Sequence, residues 1–281
     1  MKLEIGMKIG IIGGKGKTGS QFAGLFRKLG FRVIVSDVGT KLSNEDVAVQ
    51  SDILVFSVPL HLSEKVMRDM SGKARKGQLV LDVSSLKERQ VKAMNCGKAE
   101  VVGMHPLFGP SKKKFDGLSI VLCPGKCAKF TVVELEKLFK RAGMKITIMT
   151  PKEHDKLMAV VQVIPHLKAI LAGEMFKNLG VNPEKPYNIS TPIYKLELAI
   201  IGRIFSQDGE LYSSIIADNP HTLKVLAGLK KAVSDYERAV KRRDAGVLVK
   251  RFNGVKKFLG KFSDKAFKRS EDIINHIQKW D

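Results

Sequence analysis

Two short segments carry side chains suited to proton transfer. In Gly103-Met104-His105-Pro106-Leu107-Phe108-Gly109-Pro110 one imidazole stands in a loop stiffened by two prolines and two glycines. A neutral imidazole takes up a proton near neutral pH. In Asp82-Val83-Ser84-Ser85-Leu86-Lys87 a hydroxyl such as Ser85 could orient one ring nitrogen of His105 while the other works as base. Both segments follow apolar, strand-like runs, and ligands of open α/β sheets bind beyond the carboxyl ends of the strands. Further along, Gln162 and His166 stand four residues apart, on one face of a helix. Lys195 and Arg203 interrupt an otherwise apolar helix. Burying a cation there requires an anion, either a ligand or a nearby Glu197 or Asp208.

A third segment is suited to phosphate. Gly14-Lys15-Gly16-Lys17-Thr18-Gly19 lies between a strand over Lys8–Gly13 and a helix over Thr18–Lys28. In this pattern Gly14 makes the tight turn, Gly16 admits a pyrophosphate to the backbone, and Gly19 lets helix pack on strand. The helix N-terminus supplies amide donors and a favourable dipole. Asp37, at the end of the second strand, is placed to accept hydrogen bonds from an adenosine ribose diol. That acid points to NAD; Arg32 and Lys41 keep NADP as the alternative. Ser57-Val58-Pro59 closes the third strand and fits a backbone wall beside the nucleotide.

The elements that must hold these residues fall into two halves. Val- and Ile-rich runs at Lys8–Gly13, Arg32–Ser36, Ile53–Ser57, Leu79–Asp82, Val101–Met104, Ser119–Cys123 and Lys145–Met149 predict a mostly parallel, doubly covered sheet. After Thr150 helical periodicity takes over. The expected helices are Lys152–Leu179, kinked at Pro165 and closed by Gly180, then one opening at Ser190-Thr191-Pro192, then Gly209–Ala217, His221–Arg242, Val247–Leu259 and Ser263–Gln278. The reading is therefore an α/β chain: a nucleotide-binding Rossmann-type domain over 1–150 and an all-helical domain over 151–281. Apolar stripes on such helices often form dimers.

Composition narrows the classes. With 49 Lys and Arg against 28 Asp and Glu, the net charge is +21, which attracts anions. The basic runs Lys112-Lys113-Lys114 and Lys241-Arg242-Arg243 are short, and no basic-aromatic motif of a specific nucleic-acid binder occurs. A basic binding module on a Rossmann shell would account for the charge but not for the imidazoles. Cys96, Cys123 and Cys127 read as reduced thiols, with a Cys123–Cys127 redox pair as the alternative; they lack the partners of a zinc site, and no metal is expected. No run of about 18 apolar residues is evident, so a cytoplasmic protein is expected.

Through these segments the chain resembles the prephenate dehydrogenase family over nearly its whole length. The resemblance rests on the Gly14–Gly19 fingerprint, Asp82–Lys87, Gly103–Pro110, Val161-Gln162-Val163-Ile164-Pro165-His166 and the stretch Thr191-Pro192-Ile193-Tyr194-Lys195-Leu196-Glu197-Leu198-Ala199-Ile200-Ile201-Gly202-Arg203. It is most similar to the branch often fused to chorismate mutase. The resemblance implies NAD-dependent oxidative decarboxylation of prephenate in tyrosine biosynthesis, with arogenate and NADP as the competing substrate and cofactor. It implies His105 as the catalytic imidazole, Ser85 as its hydroxyl partner and His166 as a second active-site imidazole. It further implies Arg203 on a substrate carboxylate, and Lys87, Gln162 and Lys195 near the substrate. Lys195 departs from the family pattern, where Arg is common, and loses the bidentate fork. A homodimer through the helical domain, and a chorismate mutase or prephenate dehydratase as partner, are further implications.

Overall fold

The computed structural model describes residues 1–110 and 114–277. Lys112 and Lys113 of the first basic run, and Gln278 at the end of the last expected helix, lie outside them. The chain divides into two compact units, Met1–Val160 with Ser213–Pro220, and Val161–Tyr212 with His221–Asp281. The first unit thus runs past Thr150 and takes back a short later segment, tied by Asn219 Nδ2 donating to the Asp155 carbonyl at 2.9 Å.

The first unit is built in the order β1 (Lys8–Ile12), α1 (Lys17–Lys28), β2 (Arg32–Ser36), α2 (Asn44–Gln50), β3 (Ile53–Phe56), α3 (Leu60–Lys73), β4 (Leu79–Asp82), α4 (Glu88–Met94), β5 (Glu100–Pro106), β6 (Ser119–Pro124), α5 (Lys129–Arg141), β7 (Lys145–Ile148) and α6 (Pro151–Met158). The sheet order is β2-β1-β3-β4-β5-β6-β7. It is parallel from β2 to β5; β6 runs antiparallel to β5 and β7 parallel to β6. The period of two along each strand sorts the core onto two faces. Ile9, Ile11, Val55, Leu81, Met104 and Leu122 meet Phe22 and Phe26 of α1 and Leu135 and Phe139 of α5. Leu54, Phe56, Val80, Val101, Val121 and Cys123 meet Val47, Met67 and Val91 on α2, α3 and α4.

α6 opens with a reciprocal cap: Thr150 Oγ1 accepts from the Glu153 amide, and the Glu153 carboxylate accepts from the Thr150 amide. The expected single kinked helix is instead α6, a π-helical turn over Ala159–Val163, and α7 (Ile164–Leu179). Pro165 explains the change. Its ring would strike the Val161 carbonyl in a normal turn, and the wider turn relieves that contact. Gly180 closes α7 with φ 64°.

The second unit continues with α8 (Pro192–Phe205), capped by Thr191 with Pro192 at its first position, as the sequence predicts. α9 (Gly209–Asp218) straddles the two units, and α10 (Thr222–Lys241), α11 (Ala245–Leu259) and α12 (Lys261–Ile277) complete the second. Gly173 lets α8 approach α7: a Cβ there would lie 2.4 Å from the Phe205 ring. α8 buries none of its residues, and Ile193, Val240, Phe252 and Phe258 are exposed. One helical run, Pro151–Leu179, reaches the length and apolarity of a membrane span, contrary to the expectation that no such stretch occurs. Its first turns nevertheless carry His154 and Asp155, buried and hydrogen-bonded to protein groups that lipid could not supply.

Candidate active site

The nucleotide end comes first. The Lys8–Ile12 strand delivers the chain into the glycine loop, and the left-handed residue is Gly13, at φ 82°, rather than Gly14. A Cβ on Gly13 would lie 2.2 Å from the Ser57 carbonyl oxygen, so β1 and β3 meet too closely for any other residue there. Gly14 instead makes room for Val35, and Gly19 for the Gly13 carbonyl, 2.2 Å from its would-be Cβ. Gly16 caps α1 with no side-chain hydrogen bond, and no acid stands in the first turn. The first-turn amides of Lys17, Thr18 and Gly19 therefore point to an anion. Asp37 accepts from the Lys15 amide and the Val38 amide, both at 2.8 Å, which fixes its carboxylate beside the loop with lone pairs left for hydroxyls. The Lys15 ammonium sits on the Val38 and Gly39 carbonyls of the same turn. Val58 and Pro59 follow Ser57 into α3, where Pro59 is the N-cap. This donor set and these glycine clearances fit a dinucleotide.

The chemistry end is built at the carboxyl ends of β4 and β5. His105 lies within β5, paired with Val121, and not in a loop after it. The antiparallel β6 extends β5 three residues past its last β4 partner, Gly103, so Pro106 costs the β4 ladder no bond. His105 is buried, and its Nδ1 lies 2.8 Å from Nε2 of His154 on α6. His154 Nδ1 lies 2.7 Å from Oδ1 of Asp155. A carboxylate only accepts, so His154 Nδ1 carries the proton; its Nε2 accepts, so His105 Nδ1 carries the next one. The chain of acceptors thus leaves the lone pair of His105 on Nε2. Burial pushes His105 well below the ordinary imidazole range, and His154 and the Lys87 ammonium push it further. Burial also lowers His154, against the pull of its Asp155 hydrogen bond. Both rings are neutral at physiological pH.

Neither Ser85 nor Lys87 sits as expected. Ser84, not Ser85, joins the network: its hydroxyl bonds to Asp82. His154 takes the orienting place proposed for Ser85, because α6 brings a second imidazole within reach of Nδ1. Lys87 is wholly buried, with its ammonium on Asp82, on the Ser84 hydroxyl at 3.2 Å and on the Met104 carbonyl at 2.8 Å. It is satisfied by protein and not turned to solvent. Asp155 also accepts from the Lys87 amide at 2.8 Å and the Glu88 amide at 2.9 Å, which caps α4. His154, Asp155, Asp82 and Ser84 were missed by sequence reasoning.

In the second unit His166 is half-buried, edge-on to Tyr212 with centroids 4.7 Å apart, and burial lowers its pKa. Gln162 sits in the π turn. Lys195 lies over the Tyr187 ring, 4.7 Å from its centroid. Arg203 is exposed, and the acid suggested for it, Glu197, pairs with Lys168 at 2.8 Å. Asp208 caps the next turn instead, accepting from the Glu210 amide.

The two halves of the chain match known domains. Residues 27–148 match the family model of the prephenate dehydrogenase nucleotide-binding domain, and residues 150–254 that of the prephenate dehydrogenase dimerization domain. A Methanocaldococcus jannaschii protein named "probable arogenate/prephenate dehydrogenase" is 30% identical over 97% of this chain and 67% of its own length. The T-protein of Haemophilus influenzae is 29% identical over 95% of this chain and 71% of its own. The crystal structure of prephenate dehydrogenase from A. aeolicus in complex with hydroxyphenyl propionate and NAD+ superposes with a TM-score of 0.71 at 20% identity, over 91% of this chain and 98% of that one, and supports the fold. With both domain models matched in order and a relative 30% identical over 97% of it, this chain belongs to the prephenate dehydrogenase family.

Proposed function

We propose that the chain oxidises prephenate to 4-hydroxyphenylpyruvate and carbon dioxide with reduction of NAD, a step toward tyrosine. The observation that carries this reading is the orientation of His105. The Asp155–His154 pair fixes its proton on Nδ1 and leaves Nε2 as the acceptor, in a neutral ring.

NAD, when bound, accepts a hydride. The first-turn amides of α1 would hold its pyrophosphate, with Gly14, Gly16 and Gly19 giving the clearance. Asp37 would hold the ribose hydroxyls, and Ser57, Val58 and Pro59 would line the nucleotide; Lys15, Lys17 and Thr18 complete the loop. His105 Nε2 takes the C4 hydroxyl proton as hydride departs from the same carbon. It returns that proton to the phenol oxygen when loss of the ring carboxylate as carbon dioxide makes the ring aromatic. Arg203 presents a planar fork for a carboxylate, and Lys195 a point charge. His166 and Gln162 orient the ring and the keto group. Ser85 stays a candidate for a hydrogen bond at the reacting end, while Lys87 acts from inside the protein. The dimerization domain supports a homodimer of this enzyme in solution.

The test is reduced-nicotinamide absorbance with purified protein, NAD and either prephenate or arogenate. Turnover with prephenate supports the reading; turnover with arogenate alone transfers the mechanism to an amine-bearing substrate and refutes the keto assignment.

A further inference from the structure

We propose that Lys87 is a positioning residue that clamps both ends of the imidazole chain without touching substrate. The inference rests on the reading of His105 as the base. Lys87 is wholly buried. At one end its ammonium donates to the Met104 carbonyl at 2.8 Å, while its partner Asp82 accepts from the Met104 amide at 3.3 Å through Oδ1. The Asp82–Lys87 ion pair therefore grips both polar backbone groups of the residue before His105. At the other end the Lys87 amide donates to Asp155 Oδ1, the same oxygen that accepts from His154. One residue thus fixes where the chain of donors begins and where it ends.

Gly103 is part of the device. A Cβ there would lie 2.9 Å from Lys87 Cδ and 2.7 Å from Val91 Cγ2. Only glycine leaves a channel for the lysine stem beneath β5. A flexible lysine would ordinarily resist so costly a burial. Three protein acceptors meet the three ammonium protons, so the site is complete as it stands. The clamp also places a fixed positive charge near His105. The groups acting on that ring are His154 from α6 and Lys87 from the loop after β4; behind them stand Asp82 from β4, Asp155 from α6 and the neutral Cys123 thiol from β6, pushed up to about 12 by burial.

The test compares wild type, His105→Asn, Lys87→Arg and the double variant Asp82→Asn/Lys87→Met, which leaves no buried charge unpaired. Two readouts are taken: the pH profile of kcat/KM for prephenate, and NMR titration of the imidazoles, which needs no activity. In the double variant His105 should titrate at higher pH than in wild type, the acid limb should move with it, and kcat should fall about tenfold or more, with KM within about twofold. In Lys87→Arg the charge persists, so the acid limb should stay while kcat falls, because a planar fork does not enter the channel under Gly103. A double variant with the wild-type profile and titration overturns the inference, as does a raised KM at unchanged kcat. Reductive methylation of the wild-type enzyme is a check that needs no variant to fold: Lys87 should stay unmodified while surface lysines react, and modification at surface rates overturns the clamp. If His105→Asn retains turnover, the reading of the base fails; if it is inactive and the double variant is indistinguishable from wild type, only the role of Lys87 fails.

Discussion

Acidification from pH 7.5 to 5.5 should cost this protein stability through its buried imidazoles, chiefly the pair His105 and His154, with the half-buried His166 adding a smaller share. Both rings of the pair have lowered pKa values in the folded chain, by burial first. The unfolded chain binds these protons at about pH 6.5 while the folded chain refuses them, so stability is complete above that value and is lost as pH falls through it. One unit below, an imidazole that stays neutral in the fold costs at most about 1.4 kcal/mol, so the pair costs at most about 3 kcal/mol, against a total of about 5–15 kcal/mol. The two rings are 2.8 Å apart and titrate as a coupled pair, so the sum is the meaningful quantity. Acids with lowered values, such as Glu100, Asp46 and Glu153, hold their contribution until pH falls toward 4 and do not confuse this window. Urea unfolding at the two pH values, followed by circular dichroism, measures the loss. His105→Asn removes the most strongly shifted ring and should reduce the loss by up to about 1.4 kcal/mol. Equal midpoints at both pH values in the wild type would refute the buried, neutral pair.

Three further outcomes follow from the same geometry. Asp155→Asn should lose about 2–4 kcal/mol in urea unfolding, because either orientation of the amide sets its NH2 against the backbone N–H of Lys87 or Glu88; an unchanged midpoint would show that Asp155 does not cap α4. Gly19→Ala should abolish saturable NAD binding in calorimetry or prevent folding, since its Cβ would lie 2.2 Å from the Gly13 carbonyl oxygen; wild-type affinity would refute the packing of α1 on β1. Arg203→Ala should raise KM for prephenate about tenfold or more at nearly constant kcat; a fall in kcat alone would place Arg203 in the transition state.

The sequence made some of this legible and hid the rest for identifiable reasons. The glycine loop and seven strands announce themselves through local pattern: β-branched runs, a Gly-rich turn and a helix directly after it. His105 stands out because the prolines and glycines around it are expensive without purpose. Its partners do not, since His154 lies 49 residues away and is brought in by the fold. The signal that could have found it was the Thr150–Glu153 cap, which sets a His-Asp pair in the first turn of a helix. Ser84 and Ser85 are neighbours, and spacing alone does not choose between them. For Lys87 the sequence shows charge and not burial, which suggests a ligand; Gly103 is the cue to the channel that takes its stem. Pro165 signals a break in the helix, and the fold answers it with a wider, π-helical turn.

The central claim is that His105 is the base in a hydride-transfer dehydrogenase acting on prephenate. The most direct measurement is NAD reduction with prephenate by wild type and by His105→Asn, each first shown to be folded. The account predicts rapid reduction by wild type and a loss of about 10²–10⁴-fold in kcat in the variant. Near-wild-type turnover by His105→Asn would contradict it.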